Sequence, residues 1–184
     1  MNESKISVRY AKALLESALD KKNLDAVYQD MIQLYQVCRQ VSEFELILNN
    51  PVVRQSKKKE MIRLVFSGKV TDLTLSFVEM IVQNRREMYI QDITRRFLDD
   101  YKRHKKITTV ILTTVISLDQ QLKERIIQLV RNSYHTTVEL EEKQNEQLIG
   151  GFIIRIDDKM MDASVAKQLR NMRKKLISKE FIRH

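Results

Sequence analysis

The sequence predicts an α+β protein that is mostly α: an N-terminal helical bundle followed by a small βαββα C-terminal domain. Three observations carry this. The 184 residues include one Pro and three Gly, so the elements run long with little punctuation. From Lys5 to about His104, apolar residues recur at helical spacing. Beyond residue 105 runs of β-branched residues alternate with helical stretches. The expected domains are therefore 1–104 and 105–184.

In chain order, the first helix is expected from Lys5 to Lys21 and the second from Leu24 to about Val41. "NNP" at 49–51 breaks the chain, because Pro51 biases Asn50 away from helical geometry. Ser56 is read as the cap of a third helix, "KKKEMIRLVF", which Gly68 ends. "TDLTLSFVEMIVQN" follows with Thr71 or Asp72 as cap, then "MYIQDITRRFLDDYKRH". "KITTVILTTVIS" (106–117) reads as a strand, and Ser117 with Gln120 resembles a capping box for the helix after it. That helix carries Leu122, Ile126, Leu129 and Val130 on one face. "TTVELEE" alternates Val138 and Leu140 with Glu139 and Glu141, a half-buried strand. After the loop "KQNEQ", "LIGGFIIRI" is the third strand. The last helix is expected from near Asp162, with Val165, Leu169, Met172 and Leu176 on one stripe.

Composition narrows the function classes. The net charge of +9 is spread, with 18 basic and 14 acidic residues up to His104 and 15 and 10 after it. No basic arm stands out, which weakens a nucleic-acid reading. An acidic protein partner or an anionic membrane surface nearby suits the same balance. Cys38 is alone, so no disulfide framework is possible and a reducing compartment is expected. The start "MNESKISVRY" has no apolar core and carries Glu3, so neither a signal nor a transit peptide is expected. No apolar run approaches the ~18 residues a membrane span needs, and a soluble, intracellular chain is the expectation.

Chemistry is hard to find. Gly150 and Gly151 sit in an apolar stretch followed by "FIIRI", with no Lys-Ser/Thr pair of the phosphate-loop kind and no G-x-G-x-x-G. Glycine in a strand more often marks a bulge or a close approach of another element, so both are read as structural. His104, His135 and His184 lie far apart, and with Cys38 they give no metal-ligand spacing. Asp157 and Asp158 look like a turn. No cofactor, metal or catalytic residue is expected. Lys57, Lys58 and Lys59 open a helix, where positive charge opposes the helix dipole, but a solvated face is the simpler reading.

What exceeds background is the width of two apolar arcs. In the first helix the apolar residues cover roughly two-thirds of the circumference, more than the ~100° stripe a surface helix needs. The helix from Asp72 repeats this with Met80, Leu73, Phe77, Ile81, Val78, Val82 and Leu75. Either both helices are central in a small bundle, or part of each arc lines a groove for an amphipathic helix of a partner. The groove stripe on the first helix would be Ile6, Tyr10, Ala13 and Ser17, where Ala13 and Ser17 are small enough for close approach. On the later helix it would be Leu73, Phe77, Met80 and Asn84.

Several segments then show a resemblance. "RYAKALLESALDKKNLDAVYQDM" resembles the opening of the delta subunits of bacterial ATP synthases, the family of the mitochondrial oligomycin-sensitivity-conferring protein. "LNNPVVRQSKKKEMI" and "FVEMIVQNRREMYIQDITRRFLDDY" are similar to that family's middle region, and "LIGGFIIRIDDKMMDASVAKQLRNMRKKL" to its C-terminal signature. The match is collinear over nearly the whole chain. Three positions depart: Asp157 and Ala163 stand where the family often has Gly, and Ser117 where it commonly has Pro.

The resemblance implies a non-catalytic stator subunit that links the catalytic head to the peripheral stalk and resists torque. It implies that the bundle takes the N-terminal helix of an alpha subunit between its first and fifth helices, where Tyr10, Ala13, Phe77 and Met80 fall. It also implies that the C-terminal domain joins the b subunits, for which Lys167, Arg170, Arg173 and Lys174 are candidates against acidic stalk residues. Asp162 and Ser164 are expected to start the last helix, packed on the Gly150-Gly151 strand. Such a subunit would sit peripherally on the cytoplasmic face of a bacterial inner membrane, without inserting into it. The rival from another class is an RNA-binding helical module, motivated by the +9 charge and by Lys57–Lys59.

Overall fold

A computed structural model describes residues 4–116, 119–134, 136–157 and 159–180, with side chains as far as Lys174. Ser117 with its expected cap, Asp158 of the expected turn and the side chain of Leu176 lie outside the described residues, as do Glu3, His135 and His184. The chain divides into two compact units, Met1–His104 and Lys105–His184.

The first unit is all helical: α1 (Lys5–Asp20), α2 (Leu24–Gln40), α3 (Ser42–Asn49), α4 (Gln55–Phe66), α5 (Asp72–Gln83), a 3₁₀ turn at Glu87–Tyr89, and α6 (Ile90–His104). Ser4 caps α1, accepting from the Ile6 N–H at 3.3 Å. Alanines 11 and 18 and Leu14 of α1 are buried, and α1 packs chiefly along α6. Ile93 and Phe97 of α6 are wholly enclosed, which makes α6 the middle of the unit. It is tied to α2 as well. Tyr101 stacks on Tyr28 with ring centroids 3.7 Å apart and donates a hydrogen bond to Asp25 at 2.7 Å.

Two helix ends use a left-handed residue without glycine. After α1, Lys22 has φ 54°, with Asn23 N–H bonded to Ala18 O at 3.1 Å and Lys22 N–H to Leu19 O at 3.0 Å. After α5, Arg85 has φ 55° with the same pair of bonds, from Arg86 to Ile81 and from Arg85 to Val82. This is the usual glycine-terminated helix end, here built on long basic side chains.

The helices differ from expectation at three places. Ser42–Asn49 is a separate helix, fixed by burial of Phe44 and Leu48 one turn apart. Ser56 is not a cap, because α4 begins at Gln55 with Arg54 in the extended cap position. The segment expected as one helix from Met88 begins instead in the 3₁₀ turn.

The second unit holds β1 (Ile107–Thr114), α7 (Gln120–Tyr134), β2 (Thr137–Gln144), β3 (Phe152–Ile156), β4 (Lys159–Asp162) and α8 (Val165–Glu180). The sheet order is β2-β1-β3-β4. β1 pairs parallel with β2, Val110 opposite Leu140, and a parallel pair requires the crossover that α7 supplies. β3 runs antiparallel to β1, Leu112 opposite Ile154, and β4 antiparallel to β3. Val110, Leu112, Val130 and Ile154 form the core, with Val138 and Leu140 packed on it. The α+β, mostly α class is the expected one. The sheet has a fourth strand, however, because 159–162 extends along β3 where a turn and a helix start were expected.

Gly150 and Gly151 precede β3 rather than lying within a strand. Gly151 has φ +81°, and a Cβ there would stand 2.4 Å from the Ala163 carbonyl oxygen. A Cβ on Gly150 would meet Val165 Cγ2 at 3.2 Å. The pair lets the start of α8 approach. Val165 N–H donates to Gly150 O at 3.0 Å and Ala163 N–H to Phe152 O at 2.9 Å. Asp162 Oδ1 accepts from the Ser164 N–H at 2.9 Å, and Ser164 Oγ from the Lys167 N–H at 3.3 Å, so Ser164 caps α8 while Asp162 closes β4. Asp157 takes φ 49°, the left-handed geometry that glycine adopts most easily.

Candidate partner-binding groove

α1 and α5 approach each other at Tyr10 but are held mainly by other neighbours: α1 by α6, and α5 by α4 and α2. The Tyr10 ring lies 6.4 Å from the Phe77 ring at 59°, and the Asn84 side-chain amide donates to the Tyr10 hydroxyl at 3.3 Å. Ile6, Ser17 and Leu73 are half-buried, Ala13 is exposed and Met80 is 41 % exposed. Ser17 turns its hydroxyl back to donate to Ala13 O at 2.8 Å. Phe77, 7 % exposed, forms the floor. Of the eight expected residues, Tyr10, Phe77 and Asn84 are brought together by these contacts.

α5 is tied to α2 and α4 by polar contacts. Asp30 of α2 is buried, and its Oδ2 accepts three hydrogen bonds, from Thr71 N–H at 2.8 Å, Thr71 Oγ1 at 2.7 Å and Thr74 Oγ1 at 2.8 Å. Thr71 caps α5, accepting from the Thr74 N–H at 3.3 Å. From α4, Arg63 makes two bonds to Glu79, at 2.6 and 2.9 Å, and Lys59 donates to Gln83 Oε1 at 3.1 Å. The Arg63 guanidinium holds the Glu79 carboxyl below the usual carboxylate range. Asp30 is the residue sequence reasoning missed. Its signal was a carboxylate on the buried stripe of Val27, Met31 and Leu34.

The lysine run at 57–59 is absorbed into the unit. Lys57 pairs with Glu60 at 2.8 Å, Lys59 with Gln83, and Lys58 is buried in an ion pair with Glu87. No group of three or more His, Cys, Asp and Glu among the described residues could hold a metal.

In the second unit Lys167, Arg170, Arg173 and Lys174 are all exposed on α8. Leu169 and Met172 of the same helix are 55 % and 59 % exposed. An open apolar cavity of about 360 Å³ lies between α7 and the β3–β4 hairpin, lined by Leu129, Tyr134, Ile154, Met160 and Met161 among others. Lys159 stands 5.6 Å over the Tyr134 ring at its edge.

Comparison with known proteins adds to this geometry. Residues 6–176 match the family described as "ATP synthase delta (OSCP) subunit". The chain is 35 % identical over 175 residues to the ATP synthase subunit delta of Phocaeicola vulgatus, covering 95 % of each. It is 32 % identical to those of Bacteroides fragilis and Desulforamulus reducens, over 95 % of this chain in both cases and 95 % and 96 % of theirs. In fold it is similar to a chain of the Toxoplasma gondii mitochondrial ATP synthase hexamer, with a TM-score of 0.71 and 23 % identity over 95 % of this chain and 98 % of that one.

Proposed function

The chain belongs to the ATP synthase delta (OSCP) family, and from that premise we propose that α1 and α5 take the N-terminal helix of an alpha subunit while the second unit joins the b subunits of the peripheral stalk. The protein is a structural component of the stator of a rotary ATP synthase, acts with other subunits of that complex and has no catalytic site of its own. No helix among the described residues is long and apolar enough to cross a membrane, in keeping with a peripheral place in the complex. We place that site on the cytoplasmic face of a bacterial inner membrane. The two units, 1–104 and 105–184, would divide the work between head and stalk.

One observation carries the groove reading: Tyr10 reaches from α1 to both Phe77 and Asn84, while Ala13 and Met80 are exposed. A helix laid there buries apolar surface on both sides, and a stator contact needs a large interface rather than chemistry. The second unit offers a basic helix face and an apolar cavity, a combination suited to an acidic amphipathic stalk helix.

The test is titration calorimetry of the full chain with a peptide of the alpha subunit's N-terminal helix from the same organism, at two salt concentrations. Tight one-to-one binding that tolerates salt is the expected result; absence of binding removes the groove reading. The RNA-binding reading finds no support in the family or in the paired lysines at 57–59.

A further inference from the structure

We propose that Asp30 is the positioning residue of the groove: from α2 it fixes the N-terminal turn of α5 and so sets where the Phe77 floor lies before any partner arrives. The inference rests on the groove reading above. Asp30 does not line the groove, and it is 5 % exposed. All three of its hydrogen bonds go to one oxygen, and all come from the first turn of α5 or its cap. The Thr71 and Thr74 hydroxyls, each donating to Asp30, lie 3.0 Å apart, so the three side chains form one compact polar knot.

This knot is placed where it matters. Leu73, the first groove residue of α5, lies between Thr71 and Thr74 in sequence, and Phe77 follows Thr74 by three residues. A carboxylate at the N-terminal end of a helix also meets the positive end of the helix dipole. Toward α1, by contrast, α5 makes the ring contact of Phe77 and the amide bond of Asn84. With the knot cut, nothing equivalent on the α1 side holds the first turn of α5. Ordering it would then oppose partner binding, as preorganisation arguments require.

The experiment uses the full chain and the alpha-subunit peptide, with Asp30→Ala, Thr74→Val, Thr74→Ser and, as control, Tyr101→Phe, which breaks the Asp25 bond on α6 instead. Affinity, unfolding midpoint and amide exchange along 72–83 are measured for each. Asp30→Ala and Thr74→Val should weaken the peptide at least about tenfold and speed exchange in the first turns of α5. Thr74→Ser, which keeps the hydroxyl, should restore both, and Tyr101→Phe should lower the midpoint without losing affinity. If Asp30→Ala and Thr74→Val bind like the unaltered chain, or if Tyr101→Phe loses as much affinity, the proposal is wrong. If the unaltered chain takes up no peptide, the groove reading fails by itself. Positioning of α5 is then decided by exchange: acceleration spread evenly over the bundle overturns it, and acceleration confined to α5 upholds it.

Discussion

Tyr10 and Asn84 meet across the gap between α1 and α5, the amide donating to the phenol oxygen at 3.3 Å. The bond is solvent-exposed and long, so it costs little to exchange for contacts with an incoming helix. The Tyr10 and Phe77 rings also lie tilted at 6.4 Å, a contact that does not depend on that hydrogen bond.

Groove substitutions should therefore separate binding from folding. Ala13 is exposed, and Ala13→Asp should change stability by no more than about 0.5 kcal/mol. Affinity for the alpha-subunit helix should fall at least about tenfold, since a carboxylate would be buried without a partner. Tyr10→Asp should do the same at a somewhat larger cost in stability. Calorimetry beside thermal unfolding measures both, and normal binding by either variant would show the stripe to be misassigned.

The buried pair of Lys58 and Glu87 should respond asymmetrically. Their side chains are 3 % and 13 % exposed, so Glu87→Ala strands an ammonium and should cost about 3 kcal/mol. Replacing both, as Lys58→Met with Glu87→Leu, should recover most of that loss. Denaturant unfolding of the two singles and the double gives the cycle; equal losses in the single and the double would contradict it.

The adjacent glycines should not be equivalent. Gly151→Ala forces a Cβ to within 2.4 Å of a backbone oxygen at φ +81°, and should destabilise the second unit by about 2 kcal/mol or more. Gly150→Ala meets a valine methyl at 3.2 Å, which can shift, and should cost about 1 kcal/mol or less. Circular dichroism melts of the two variants decide the order.

Cys38 and Tyr101 make a pH prediction. Burial, with help from Glu45, pushes the Cys38 thiol up to about 12, so alkylation at pH 8 should be slow in the native chain and quick once unfolded. Tyr101 is also raised to about 12, by burial and then by its bond to Asp25. An acid raised on folding favours the folded state below its unfolded pKa, about 10. That contribution should fade as pH climbs from about 10 toward 12. Tyr101→Phe should flatten this part of the stability profile, and an unchanged profile would remove Tyr101 as its cause.

Much of the fold was legible because it rests on local pattern. Thr71 as a cap, Val138 and Leu140 against Glu139 and Glu141, and the long periodic helices all follow from neighbours in sequence. What was not legible depends on distant partners. Met160 and Met161 have no β-branched neighbours, and they are strand only because Arg155 and Ile154 lie opposite. Arg54 takes the cap position ahead of Ser56 although it makes no capping hydrogen bond. The stripe proposed for the groove rests on a helical wheel, which is again a local pattern. Asp30 could be seen as a misplaced carboxylate, but its partners lie 41 and 44 residues away.

The lengthwise course of the proposed groove has a mechanical side. From Ile6 to Ser17 the α1 stripe runs about 16 Å at the rise of an α-helix. A helix seated along it and pulled along its own axis is loaded in shear. Every contact from Ile6 to Ser17 then carries force at once, where a helix lifted from one end would peel contact by contact. A rotor's tug, delivered along that axis, would meet the full strength of the seam rather than its weakest link.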